Sequence, residues 1–155
     1  MGSNEGDRVC DPLRFGRGEA GLAAGLPAVI TRPELALVHA TPASSWRALK
    51  IDACDEELEA GYGSLDRPIV VFGHTHYPSI REVSGVPKVL INTGSIGLPF
   101  DGDPHASYLL LDGDSPTIRR IEYSVEQELK ALAKSGLPGA EWTAKMLRTS
   151  APQMP

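Results

Sequence analysis

Basic residues are scarce in this chain relative to acidic ones: 15 lysines and arginines face 20 aspartates and glutamates, a formal net charge of -5. Non-specific binding to a nucleic-acid backbone depends on clustered cations that release counterions, so no nucleic-acid surface is expected. A phosphate-bearing ligand would need a local cation to hold it. Cysteine is scarcer still. Cys10 and Cys54 are the only two, too few for a disulfide framework and not spaced as a CxxC pair, which predicts two free thiols. Aromatic residues make up 6%, and no apolar run approaches the ~20 residues of a membrane span. Residues 1–11 lack the basic flank and apolar stretch of a secretory signal. These absences predict no membrane association and a cytoplasmic address.

What is present is an ordinary globular composition, 41% hydrophobic and 23% charged over 155 residues, enough for one domain with a real core. Residues 1–24 read as an irregular segment with at most one short helix over 19–24. Leu35-Ala36-Leu37-Val38 reads as a buried strand that delivers His39 at its end, stopped by Thr41-Pro42. A helix follows from Asp55, with Asp52 or Asp55 as its N-cap and Gly61-Tyr62-Gly63 as its break. The acidic run 55–59 reads as its solvated face.

Closely spaced strands come next: 69–72, then 79–83 and 88–92 turned by Gly85, then 107–111 and 117–123 joined by the turn-rich residues 112–116. Ser124 is the expected cap of a helix to Ser135, stopped by Gly136, and a last helix runs over 139–148. Residues 150–155 are expected to fray, leaving 25–149 as the folded unit. There is no internal repeat. Trp46 and Trp142 are expected to be packing residues, since no basic patch surrounds them.

The chemistry rests on four histidines. Gly73-His74-Thr75-His76 ends a strand in a tight turn, which lets two imidazoles one residue apart face one cavity. By itself that pattern fits a metal site or a pair of surface histidines equally well. Asn92 and Ser95, in Asn92-Thr93-Gly94-Ser95, could hydrogen-bond phosphate oxygens, but Asn-x-Gly is also ordinary turn chemistry, and both readings stand.

Several blocks occur in order: Leu37-Val38-His39-Ala40-Thr41-Pro42, Val70-Val71-Phe72-Gly73-His74-Thr75-His76-Tyr77-Pro78, Ile91-Asn92-Thr93-Gly94-Ser95-Ile96-Gly97-Leu98-Pro99 and Asp101-Gly102-Asp103-Pro104-His105-Ala106-Ser107-Tyr108. Together they resemble the C-terminal half of calcineurin-like metallophosphoesterases, in a bacterial phosphodiesterase and phosphatase-like subgroup, over roughly residues 25–148. The resemblance implies a mixed α/β (α+β) fold, part of an α/β/β/α sandwich. This chain would supply mostly the second, largely antiparallel sheet and the C-terminal helices. It implies His39 and His74 on one metal ion and His76 on another. The activity implied is hydrolysis of a small-molecule phosphomonoester or phosphodiester by metal-activated water. Imidazole donors favour Mn, Fe, Zn or Ni. His105 stands where the subgroup more often has Arg, so it could meet a substrate phosphate or be an exposed loop residue.

The family's Asp-x-His block is missing, and no fifth histidine fills the leaving-group role. Residues 2–8 hold at most a damaged echo of the Gly-Asn-His-Asp/Glu block, with Asn4 and Asp7 as counterparts. No catalytic residue is therefore assigned. Three neutral imidazoles bring no anion to neutralise two divalent cations. At most one weakly held ion is expected, completed by water or by Asp101 or Asp103. The expectations are a truncated or internally started phosphoesterase that is weak or inactive, or a non-catalytic remnant serving as a metal-binding or protein-interaction module. An exposed sheet edge and face would favour homo-oligomers.

Overall fold

A computed structural model describes residues 21, 24–50, 52–85 and 87–154. Expectations for Asn4, Asp7 and Cys10, and for most of the helix over 19–24, lie outside the described residues. The sheet elements are β1 (Val29–Thr31), β2 (Leu35–Val38), β3 (Ile69–Phe72), β4 (Ser79–Glu82), β5 (Val89–Asn92), β6 (Ala106–Asp112) and β7 (Ser115–Ile121). The helices are α1 (Asp55–Tyr62), α2 (Val125–Ser135) and α3 (Ala140–Thr149).

Five strands form a mixed sheet in the order β1-β2-β3-β5-β4, and β6-β7 form a separate antiparallel hairpin. β2, β3 and β5 run parallel, while β1 and β4 pair antiparallel at the two edges. The mixed α/β class holds. The hairpin of 79–92 forms as expected, but it is β5, not β4, that docks beside β3. The reason is visible in composition. All four residues of β3, Ile-Val-Val-Phe, are buried, the continuous apolar run of a parallel strand covered on both faces. Alternate residues serve two cores. Ala36, Val38, Val70, Phe72 and Leu90 pack with Leu58 and Tyr62 of α1, whereas Ile69, Val71 and Ile91 meet Leu109, Leu111 and Ile118 of the hairpin.

Local details differ from expectation for physical reasons. Cys54, not Asp52 or Asp55, is the N-cap of α1, and the Glu57 carboxylate accepts from its backbone N–H at 3.2 Å. Asp55 instead ties the helix to the β4-β5 hairpin, accepting from Arg81 and from the Ser84 hydroxyl at 2.8 Å. Gly61 stays inside α1 because its bare Cα leaves room for Leu49, whose Cδ1 would stand 2.4 Å from an added Cβ. Of the acidic run, Glu56, Glu57 and Glu59 are exposed and Leu58 is buried. The β6-β7 turn is tighter than the 112–116 span: Pro116 already pairs with Leu111 in the ladder.

Ser124 caps α2 and left-handed Gly136 ends it, as the residue types require. Residues 150–153 do not fray. Ser150 is buried and its carbonyl accepts from Gly102 N–H at 2.9 Å, while Trp142 Nε1 donates to the Gln153 carbonyl. Trp46 is not a packing residue, being 82% exposed. Among the described residues no helix is long and apolar enough to cross a membrane.

Candidate metal centre

Because β2, β3 and β5 are parallel, their C-terminal ends meet on one edge of the sheet, the usual place for a site in an open α/β sheet. Gly73 N–H donates to the His39 carbonyl at 3.0 Å, and Thr93 N–H to the Phe72 carbonyl at 3.1 Å. These bonds extend the ladder just past the strands. The result brings together residues 35 positions apart: His39 Nε2 and His74 Nδ1 stand 3.1 Å apart, with the rings edge to face. Burial, then repulsion from His74 and His76, holds His39 below the ordinary histidine range. That favours the neutral imidazole, the form that ligates metals.

His76 is oriented by its second nitrogen. Its Nδ1 lies 2.7 Å from the Leu98 carbonyl, and since a carbonyl only accepts, Nδ1 carries a proton, which in the neutral ring puts the lone pair on Nε2. This is the backbone-anchored arrangement of metal-ligating histidines. Phe100 stacks on the same ring at 4.7 Å. His39, His74 and His76 line one open cavity of about 660 Å³ with Ser95, and its apolar wall includes Leu37 and Leu109.

The region that contains these residues answers to a known family. Residues 23–115, well over half of the chain, match the calcineurin-like phosphoesterase superfamily domain. The chain belongs to that superfamily. Calcineurin-like phosphoesterases are as a family metal-dependent, and their fold is found here. The metallophosphoesterase of Sphaerobacter thermophilus superposes with a TM-score of 0.73 at 22% identity, over 90% of this chain and 65% of that one. Hypothetical protein PH1004 of Pyrococcus horikoshii gives a TM-score of 0.74 at 18% identity, over 89% and 56% respectively. In sequence, an uncharacterized protein of Methanocaldococcus jannaschii, MJ0912, is 31% identical over 126 residues, which is 70% of this chain and 49% of that one. The chain thus spans about half to two thirds of the length of these relatives.

Within this superfamily member, the six residues singled out in the sequence separate. His39, His74, His76 and Ser95 surround the cavity. Asn92 does not reach it: the side chain is fully buried, donating to the Gly73 carbonyl at 2.9 Å and to Thr75 Oγ1 at 2.8 Å. Its turn-chemistry reading is the correct one. His105 is also absent from the lining, because its ring is paired with Asp103. Arg120 engages Asp101 and approaches Asp103, so neither carboxylate is offered to the histidines. Hydrogen bonds from the His105 amide and ring hold Asp103 below the usual carboxylate range.

The donor set fits one ion in part. Two nitrogens at about 2.05 Å from a common ion stand roughly 2.9–3.4 Å apart for octahedral to tetrahedral angles, and the His39–His74 separation of 3.1 Å falls inside that range. It does not fit two. Among the described residues no three His, Cys, Asp or Glu side chains gather as a metal-holding group. Sequence reasoning missed Thr75, the partner of Asn92. The only signal was a hydroxyl between two histidines, which means little until β5 is known to lie beside β3.

Proposed function

We propose that the cavity at the ends of β2, β3 and β5 is the histidine half of a phosphoester-hydrolysing centre. His39 and His74 would hold one divalent transition-metal ion, Mn, Fe, Zn or Ni, and His76 would face the same cavity. The observation that carries this reading is the 3.1 Å convergence of His39 Nε2 and His74 Nδ1. When bound, such an ion polarises a phosphoryl oxygen and acidifies water. The chain's own residues hold and orient. Ser95 Oγ accepts from Leu98 N–H at 3.0 Å, which leaves its proton to donate toward a phosphate oxygen of a small-molecule monoester or diester. With Asp101 and Asp103 committed to Arg120 and His105, no carboxylate offsets the metal charge among the described residues lining the cavity. Ion binding is therefore weak, and turnover by this chain alone is slow or nil.

That missing anion also favours a second reading, a non-catalytic metal-binding or protein-interaction module on the same fold. Metal content and isothermal titration with Mn2+ and Zn2+, on wild type and His74→Ala, test the site. Hydrolysis of p-nitrophenyl phosphate and bis(p-nitrophenyl) phosphate distinguishes the two readings. Metal-dependent turnover lost in His76→Ala supports the hydrolytic centre, and bound metal without turnover supports the module. Metal content indifferent to His74→Ala overturns the hydrolytic centre and the metal-binding form of the module.

A further inference from the structure

His74 and His76 share an unusual backbone state. Their φ angles are 67° and 63°, in the left-handed region that residues with a Cβ enter rarely and at a cost. Two such residues flanking Thr75 persist only if the surroundings over-determine the turn. The surroundings here converge on one side chain. Asn92, at 0% exposure, reaches from the end of β5 and spends both amide protons on this turn, one on the Gly73 carbonyl at 2.9 Å and one on Thr75 Oγ1 at 2.8 Å. Its Oδ1 is fixed from the other side by Gly94 N–H at 2.9 Å. The ladder places Asn92 opposite Phe72, the residue just before the turn, so the reach is short and the rotamer is set by the sheet.

We infer that Asn92 and Thr75 are positioning residues that clamp the Gly73–His76 turn, and that without the clamp the His74 and His76 rings no longer face the cavity together. The inference rests on the metal-site reading above for its consequence, but the clamp itself is a property of the metal-free chain. Asn92 does not touch the ion or substrate. It acts through the two peptide units that carry the imidazoles, as the outer partners of metal ligands do.

The chemistry of each bond dictates the variants. Asn92→Ala removes both donors. Thr75→Val keeps the volume and removes the hydroxyl that accepts from Asn92, while Thr75→Ser keeps the hydroxyl and should rescue. Leu65→Ala, at a core position outside the turn, reports what general destabilisation does. Titration of each full-length protein with Co2+, followed by visible absorption, should show affinity lowered about tenfold or more for Asn92→Ala and Thr75→Val. Thr75→Ser and Leu65→Ala should match wild type once folded. Amide exchange of metal-free protein gives the second readout, because Thr75 N–H donates to the Gly73 carbonyl at 2.8 Å. Exchange at Thr75 relative to Val71 should accelerate in Asn92→Ala and Thr75→Val only.

Wild-type Co2+ affinity in folded Asn92→Ala, or an equal loss in Leu65→Ala, overturns the clamp. If Asn92→Ala does not fold, the Thr75→Val and Thr75→Ser pair decides. If wild type itself takes no Co2+, the metal-site reading fails, and relative exchange at Thr75 alone decides the clamp: unchanged exchange in Thr75→Val overturns it.

Discussion

Replacing Gly94 with alanine should destabilise the protein more than its place in a loop outside the strands suggests. Gly94 has φ +75°, and a Cβ built there would stand 2.7 Å from Ser107 Oγ, 2.9 Å from Ser107 Cβ and 2.9 Å from Pro78 Cβ. Two penalties follow. A left-handed residue with a Cβ costs roughly 1–2 kcal/mol, and forcing a methyl into a filled space costs about 1–3 kcal/mol. Ser107 cannot swing away cheaply, being 2% exposed with its hydroxyl donated to the Thr93 carbonyl at 2.7 Å. The sum is ~2–5 kcal/mol, and at about 2–4 °C per kcal/mol for a domain of this size the melting temperature should fall by roughly 4–20 °C. Thermal unfolding followed by circular dichroism measures it. Gly97→Ala is the control, since nothing lies within 4 Å of its added Cβ, and it should stay within about 0.5 kcal/mol of wild type. A Gly94→Ala protein melting within ~2 °C of wild type would refute the reasoning. Because Gly94 N–H also fixes Asn92 Oδ1, the same variant should bind metal more weakly than Gly97→Ala.

Two further predictions concern pH. Burial pushes the Tyr62 phenol up to about 12 against the nearby Leu49 backbone, and its buried hydroxyl has no well-formed hydrogen bond among the described residues. The unfolded chain releases this proton first, so wild-type stability should fall as pH rises from about 10 toward 12. Tyr62→Phe should melt no lower than wild type at pH 7 and lose that alkaline slope; a clear drop at pH 7 would mean that the hydroxyl is satisfied after all. Asp55 is held below the usual carboxylate range by the Ser84 hydroxyl and amide and by Arg81. Its contribution is present above an unfolded pKa of about 4 and lost as pH falls through the lower folded value. Melting temperatures between pH 2 and 6 should therefore slope less in Asp55→Asn than in wild type, and parallel curves would remove Asp55 from the account.

Much of the fold was legible because local rules act on neighbours in the chain. The apolar run of β3, the serine before α2 and the glycine after it each name their own structure. The site histidines were legible for a related reason: His39 and His74 each end a strand, and strand ends can be read one at a time. Asn92 was left open because the same Asn-Thr-Gly stretch can aim its amide at a ligand or at a backbone. Only the register that sets it opposite Phe72 decides. The open readings of His105, Asp101 and Asp103 are decided in the same way, since Arg120, which contacts all three, comes from the far strand of the hairpin. Trp46 was expected to pack because no basic patch surrounds it, yet it sits on a turn and is exposed.

Sequence alone therefore determined the family, most of the strands and helices, though not β1, and named three candidate imidazoles, all of which depend on residue type and short spacing. Tertiary structure decided which of the candidates share a cavity. It set His39 and His74 3.1 Å apart, turned Asn92 inward and withdrew the carboxylates. The physical reason is that a parallel sheet brings together residues far apart in the chain through hydrogen-bond register, and no local pattern encodes that register.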